Sequence, residues 1–358
     1  MKIVLIVVLV ILGLLVIALL KRGKGKPIKL LDENGNSFPN GLSTREKIMI
    51  GGVSQYVFIT SENVNHPVLL FLHGGPGSSE IGLEDFTHGQ RLEEKFTVCY
   101  WEQRGAGLSY GAGKNSEKMT VDLMVTDAIE LTEYLMMRFS KDQIYIMGHS
   151  WGTFLGTKVI SKKPEYYKAY FGIGQISNQK ASEKIAYHYM LEHAEKIGDV
   201  KAVNTLKAEN PESPNFPSNK YLLSVRTNYM NKYGVGLIHS DNFKMSELVK
   251  KILAFKGYSF FDILKYPLGS QLSSKMLFPS VIAENLMETE TQFELPIYIL
   301  QGAFDMQVSY SLAKDYSDLL LAPKKGFYTF KNSAHSPNLE EKELFLETVF
   351  TILENSEK

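Results

Sequence analysis

The feature that most constrains the fold of this chain is a series of short apolar runs separated by a segment with helical spacing. Residues 67–72, 96–101 and 143–147 are runs of strand length, and a helix is predicted to begin after Thr120 between the last two. Continuous apolar runs are typical of strands that are covered on both faces. The alternation predicts an α/β fold with a mostly parallel central sheet and helices on both faces.

The same logic extends the sheet in both directions. Two strands, residues 46–50 and 54–60, are predicted to form a hairpin through Gly51 and Gly52, and another strand is predicted at residues 169–173. After a long interruption the strand pattern resumes at 296–301 and 326–330, and a closing helix is predicted over 339–353.

The interruption consists of helical segments broken by prolines, with few strand signals. It is interpreted as a helical cap over residues 176–290, inserted between a first core part, 27–175, and a second core part, 291–358.

Residues 148–152 read Gly-His-Ser-Trp-Gly and lie between a predicted strand and a helix-compatible segment. A serine on such a sharp strand-to-helix turn takes a strained backbone conformation, so its neighbours must be small. Gly148 and Gly152 meet that demand. The segment is therefore interpreted as a nucleophile elbow, with Ser150 as the nucleophile.

A serine hydroxyl needs a base, and that base needs an acid that holds it in one tautomer. In folds of this type the order along the chain is serine, acid, histidine, each at the end of a strand. Of eight histidines, His335 alone follows the last predicted strand and precedes the final helix. His335 is therefore the predicted base.

The predicted acid is Asp305, which follows the strand at 296–301. Asp315 and Asp318 are nearby alternatives, although the helical pattern of residues 311–321 would carry them away from the strand end.

Acyl transfer also requires two main-chain N–H groups that stabilise the developing oxyanion. Trp151 follows the nucleophile and is one predicted donor. The second is Gly75 in the loop His-Gly-Gly-Pro-Gly at residues 73–77, where Pro76 has no N–H to offer. A plain turn or a phosphate-binding loop is the alternative, but no Lys-Ser/Thr pair follows, which disfavours phosphate.

Residues 73–77, the segment Glu-Gln-Arg-Gly at 102–105, and residues 148–152 resemble the three signature segments of the prolyl aminopeptidase (proline iminopeptidase) group of α/β-hydrolases. The resemblance implies that Ser150, Asp305 and His335 form the triad and that Gly75 and Trp151 form the oxyanion hole. It also implies a helical cap after the sixth core strand, and neither a cofactor nor a metal.

Two features limit what the resemblance implies. Glu102 stands where the group usually has Asp, which is expected to alter a wall of the site and not the triad. Cap carboxylates hold the free amine of the substrate in these aminopeptidases. The candidates here are Glu183, Glu192, Glu247, Glu284 and Glu288.

Composition excludes some classes of partner. Lys plus Arg and Asp plus Glu both number 39, so no net charge favours nucleic acid. The single cysteine, Cys99, excludes an internal disulfide and a Cys-based zinc cluster.

The N-terminal region is predicted to be a membrane anchor with a basic flank, residues 1–26. Residues 3–20 are apolar and would span about 27 Å as a helix, close to the ~30 Å hydrocarbon core. A cleaved signal peptide is the alternative. Lys21, Arg22, Lys24 and Lys26 follow the run, against Lys2 before it, so the positive-inside rule predicts a cytoplasmic catalytic domain on a single-pass anchor in the cell membrane.

These observations predict a serine hydrolase that acts through an acyl-enzyme. An aminopeptidase that releases a proline-like N-terminal residue from short peptides is the first hypothesis. An esterase or other acyl hydrolase with the same triad is the second, because folds of this kind host many reactions. A non-catalytic binding protein is the third.

Overall fold

The computed structural model describes residues 23–84, 86, 89–112, 118–240 and 245–356, together with Gly13 and Ile17. In these residues eight strands form one sheet in the order β1-β2-β4-β3-β5-β6-β7-β8. They are β1 (Leu42–Ile50), β2 (Val53–Ser61), β3 (Val68–Leu72), β4 (Thr97–Glu102), β5 (Ile144–His149), β6 (Tyr167–Ile173), β7 (Ile297–Gly302) and β8 (Lys325–Phe330). β1 and β2 form an antiparallel hairpin, β2 pairs antiparallel with β4, and all other pairs are parallel.

The α-helices of the described residues connect these strands and cover the sheet. They are α1 (Val121–Phe139), α2 (Trp151–Lys162), α3 (Gln179–Lys196), α4 (Val200–Lys207), α5 (Thr227–Lys232), α6 (Met245–Ala254), α7 (Phe260–Ala283), α8 (Leu286–Thr289), α9 (Tyr310–Leu319), α10 (Pro337–Glu340) and α11 (Lys342–Ser356). A π-helical turn, Tyr221–Arg226, leads directly into α5.

The central strand β3 shows why the sheet needs cover on both faces. All of its residues are buried. Because side chains alternate along a strand, Leu70 and Leu72 pack into one hydrophobic cluster while Leu69 and Phe71 pack into the cluster on the opposite face. The prediction of a mostly parallel α/β sheet is therefore confirmed, and the carboxyl ends of its parallel strands lie along one edge, where such sheets carry their sites.

Helices α3 to α8 lie in the chain between β6 and β7. Several of them share a hydrophobic cluster of their own, which includes Tyr187, Leu206 and Tyr221. The division of the chain at residues 176 and 290 remains a prediction.

The predicted membrane anchor requires correction. No helix in the part of the chain that the structure describes is long and apolar enough to cross a membrane. Of residues 3–20, on which the prediction rested, all except Gly13 and Ile17 lie outside the described residues. The structure therefore does not support the predicted N-terminal transmembrane helix, the single-pass cell-membrane localisation or the cytoplasmic side derived from it.

Candidate active site

Ser150 lies on the turn between β5 and α2. Its backbone angles, φ 54° and ψ −119°, fall in a region that is strained for a residue with a side chain. The turn is tight because the chain approaches itself closely here. A Cβ on Gly148 would lie 2.3 Å from the carbonyl oxygen of Gly152, and one on Gly152 would lie 2.0 Å from that of Leu72. The two glycines are therefore sterically required by this turn.

Asp305 and His335 come together at the carboxyl ends of β7 and β8. His335 Nδ1 is 2.8 Å from Asp305 Oδ2. Gln301 donates to the same carboxylate oxygen, and the main-chain N–H groups of Gln307 and Val308 donate to Oδ1. The carboxylate accepts all four bonds, so it orients the imidazole with the proton on Nδ1.

His335 is buried, and burial lowers the pKa of its imidazole although the charge of Asp305 acts in the opposite direction. The ring is therefore neutral near pH 7, which is the state that a general base needs. Its main chain reaches the elbow, because the His335 carbonyl accepts a hydrogen bond from His149, the residue before the serine. The predicted alternatives Asp315 and Asp318 lie exposed on α9.

The predicted oxyanion donors lie beside the serine. Gly75, Ser150 and Trp151 line one small cavity of about 50 Å³. Gly75 has φ 114°, and a Cβ at this position would lie 2.7 Å from the main-chain nitrogens of Gly77 and Ser78. Among the described residues, the main-chain N–H groups of Gly75 and Trp151 have no hydrogen-bond partner. Two donors are thus free next to the serine.

The loop that carries Gly75 is held by the segment at 102–105. The main-chain N–H of Gln103 is 3.4 Å from His73 Nε2, and its side-chain amide donates to the His73 carbonyl. The Gln103 side chain also accepts from Trp151 Nε1. Arg104 forms a buried bidentate ion pair with Asp127. Arg104 therefore has a structural role, which is to hold this segment in place.

Glu102 is buried beneath the same loop and contacts Ser79, Leu108 and Tyr258. Burial raises the pKa of this carboxyl to about 7, although the hydrogen bond from Tyr258 acts to lower it. It is not among the residues that line the cavity at Ser150. The expectation that Glu102 alters a wall of the site therefore finds no support in that cavity.

A buried ion pair that the sequence did not indicate adjoins the elbow. Glu80 Oε1 accepts from the Gly74 N–H at 2.7 Å and lies 2.8 Å from His149 Nδ1. His149 Nε2 lies 3.0 Å from the carbonyl oxygen of His335, which can only accept. Both imidazole nitrogens therefore face acceptors, an arrangement that favours the protonated, cationic form of His149. Burial alone would lower the pKa of His149, but the charge of Glu80 raises it overall.

Of the predicted cap carboxylates, only Glu183 reaches the neighbourhood of the serine. Glu192, Glu247 and Glu288 are exposed, and Glu284 pairs with Lys158. Glu183 is fully buried and forms an ion pair with Arg226.

The cavity beside Ser150 is lined by polar side chains from the segment between β6 and β7. Gln179 and Arg226 lie on its wall together with Gln307, and Ile176, Phe278, Val281 and Val308 supply the apolar part. Gln179 donates to Glu183 at 2.7 Å, four residues along α3. This i, i+4 spacing was the available sequence signal for the pair. No cluster of three or more potential metal ligands occurs in the described residues.

The comparisons with known proteins agree with this architecture. A family model for the alpha/beta hydrolase fold matches residues 67–342. A relative from Bacillus subtilis (strain 168), named probable aminopeptidase YbaC, is 31% identical over 311 residues, which are 86% of this chain and 95% of the relative. A proline iminopeptidase from Clostridioides difficile (strain 630) is 25% identical over 83% of this chain and 94% of its own length.

Among solved structures, the proline iminopeptidase of Mycobacterium smegmatis superposes with a TM-score of 0.59 at 15% identity, over 87% of this chain and 98% of that protein. At that identity the likeness concerns the fold. Together with the family model and the relatives, it supports one assignment. The chain belongs to the α/β-hydrolase fold family and resembles the prolyl aminopeptidase group within it.

Proposed function

We propose that this protein is a serine hydrolase that releases a proline-like N-terminal residue from short peptides through an acyl-enzyme. The observation that carries the proposal is the hydrogen bond from His335 to Asp305 next to the turn that holds Ser150. Ser150 lines the same cavity as Gly75 and Trp151, whose main-chain N–H groups are free. The names of the relatives, aminopeptidase and proline iminopeptidase, support the peptidase assignment.

In the proposed mechanism, the neutral imidazole of His335 takes the hydroxyl proton as Ser150 Oγ attacks the scissile carbonyl. The negative charge then develops on the carbonyl oxygen, where the N–H groups of Gly75 and Trp151 donate to it. The imidazolium is stabilised by Asp305 and gives its proton to the leaving amine, so the peptide bond breaks and an ester to Ser150 remains. A water molecule activated by the same histidine hydrolyses that ester and restores the serine.

The size of the cavity supports a small acyl group. Its volume of about 50 Å³ lies well below the ~300–1,000 Å³ that is typical of sites for larger ligands. Its apolar residues, among them Phe278 and Val281, suit a compact ring or short side chain.

A second candidate, an esterase or other acyl hydrolase, is favoured by one observation. Glu183, the cap carboxylate nearest the cavity, is already paired with Arg226 and is fully buried. A free ammonium group would therefore not meet an uncompensated carboxylate from this residue. The triad chemistry is the same for both candidates.

The test is covalent labelling with a fluorophosphonate probe, followed by a comparison of substrates. We expect labelling of the native protein, loss of labelling in Ser150→Ala, and normal labelling in Ser161→Ala, an exposed serine at the end of the same helix. Cleavage of proline or pyroglutamate 4-nitroanilide in preference to 4-nitrophenyl acetate supports the peptidase, and a preference for the ester over both anilides supports the esterase. A folded protein that is not labelled contradicts both.

A further inference from the structure

One buried polar atom beside the serine has no partner. Gln179, the first residue of α3, is 2% exposed and lines the cavity that contains Ser150. Its Oε1 is buried without a hydrogen-bond partner among the described residues. Buried acceptors nearly always receive a hydrogen bond, so an unpaired one requires an explanation. Because Gln179 lies on the cavity wall, the missing donor is best explained by a bound ligand.

The orientation of the Gln179 amide is determined by its surroundings. Nε2 donates to Glu183 Oε1 at 2.7 Å and to the main-chain carbonyl of Gln307 at 2.8 Å. Exchanging nitrogen and oxygen would set an acceptor against two acceptors, so Oε1 must be the unpaired atom. Donation to a carboxylate also polarises the amide, which makes Oε1 a stronger acceptor.

The charge next to this acceptor is positive. Arg226 lies on the same wall, and its Nε is 2.8 Å from the carboxylate of Glu183. The two terminal nitrogens of the guanidinium each donate to Gln307, at 3.2 and 3.1 Å. Since an arginine has five N–H donors, these contacts leave two for a ligand.

This arrangement selects between kinds of substrate nitrogen. Arg226 lines the cavity and its partner Glu183 does not, so a substrate ammonium bound at Gln179 would face the guanidinium more directly than the carboxylate that compensates it. A neutral N–H meets no such repulsion. A group that carries both an N–H and a carbonyl can use the Gln179 acceptor and a free arginine donor together.

We propose that Gln179 Oε1 accepts a hydrogen bond from an uncharged N–H on the acyl half of the substrate, with Arg226 donating to an adjacent carbonyl. The preferred substrates are then terminal residues with a neutral nitrogen, such as a five-membered lactam. The proposal rests on the proposed hydrolase function and specifies the chemical form of the residue that is released. Gln179 is the residue that determines this specificity.

The experiment measures binding without turnover, by isothermal titration calorimetry on Ser150→Ala. Three small amides serve as probes: pyroglutamic acid amide, which has a neutral ring N–H and a ring carbonyl; prolinamide, which is cationic at pH 7; and cyclopentanecarboxamide, whose ring has no nitrogen. We expect the lactam to bind about tenfold or more tightly than the other two, because it satisfies the buried acceptor without placing a second cation beside Arg226, whereas the carbocycle has no ring donor. Prolinamide should bind more tightly as pH rises and its amine loses a proton.

The Gln179→Met substitution in the same background should abolish the preference, since Met has a similar shape and no carbonyl. Gln175→Met is the control: Gln175 is a buried glutamine between β6 and α3 whose hydrogen bonds go to Tyr170, Ile176 and Gln301. That variant should retain the preference.

Equal affinity for the three probes, no detectable binding of the lactam, tighter binding of cationic prolinamide, or a preference that survives Gln179→Met would each overturn the proposal. The comparison of probes needs only Ser150→Ala, so it holds even if the second substitution prevents folding. Absence of fluorophosphonate labelling contradicts the hydrolase function alone, so the two failures are distinguishable.

Discussion

Replacing Asp305 by Asn tests whether this carboxylate sets the tautomer of His335. In the wild type, Oδ2 accepts from His335 Nδ1 and from the side-chain amide of Gln301. Oδ1 accepts from the main-chain N–H groups of Gln307 and Val308. An Asn keeps both main-chain bonds only if its Nδ2 takes the place of Oδ2. That Nδ2 then donates to the imidazole Nδ1, which forces the ring proton onto Nε2.

A histidine with its proton on Nε2 cannot accept the proton of the serine. We expect kcat/KM to fall about 10⁴-fold, which corresponds to ~5.5 kcal/mol at ~1.36 kcal/mol per tenfold change. The Asn amide also faces the Gln301 amide, donor against donor. Gln301 cannot flip, because its Oε1 accepts from the Gln175 main chain. This conflict should lower the free energy of unfolding by ~1–3 kcal/mol.

The assay is kcat/KM at pH 7 with whichever of proline 4-nitroanilide and 4-nitrophenyl acetate the native protein cleaves better, together with denaturant unfolding. Asp315→Asn is the matched control, because Asp315 is exposed on α9 and should leave both quantities unchanged. A folded Asp305→Asn protein that keeps more than about a tenth of the wild-type kcat/KM would refute the assignment of the acid.

Three other outcomes are expected. Gly152→Ala should lower the free energy of unfolding by ~1–3 kcal/mol or more, because its Cβ would lie 2.0 Å from the Leu72 carbonyl oxygen; unchanged denaturant unfolding would contradict this. His149→Phe leaves Glu80 buried without its cation and should cost ~3–5 kcal/mol, and adding Glu80→Gln should recover part of that loss. No recovery would argue against the pairing. Because burial holds the pKa of His335 below 6.5, kcat/KM should fall with acid only below that pH, and an acid limb centred above it would contradict the assigned base.

Most of the sheet could be predicted because a buried strand has a sequence signal that does not depend on its partners. The apolar run at 67–72 became β3, Val68–Leu72, and the pair of glycines at 51 and 52 marked the hairpin between β1 and β2. The long helix α7 was not predicted. It contains Pro267 and Pro279, and proline is ordinarily a sign that a helix ends.

The candidate site was predictable where it follows from chain order. Asp305 and His335 each follow a strand of one parallel sheet, so their meeting at its edge could be expected. The contact of Glu80 with His149 could not, because it joins residues 69 positions apart through packing. Arg226 was unpredictable for the same reason, since its π-helical turn meets α3 through tertiary contacts alone.

The titration of His149 is expected to give the pH profile a second limb. Its Nδ1 contacts Glu80, which holds the Gly74 N–H of the oxyanion loop, and its Nε2 contacts the carbonyl of His335. One imidazolium therefore connects the proposed oxyanion loop to the proposed base, and catalytic groups must keep their relative positions within about 0.5 Å.

The pKa of His149 is raised above 6.5 in the folded protein, so the link is complete below that pH and is lost as pH rises through the folded value. Deprotonation removes one of two donors, while the carboxylate of Glu80 and the carbonyl of His335 can only accept. We expect kcat/KM to decline at alkaline pH because the loop and His335 no longer keep their relative positions. His335 itself is by then deprotonated and able to act as a base. His149→Phe should have lower activity throughout and no such decline, and an alkaline limb that persists in that variant would show that another group titrates.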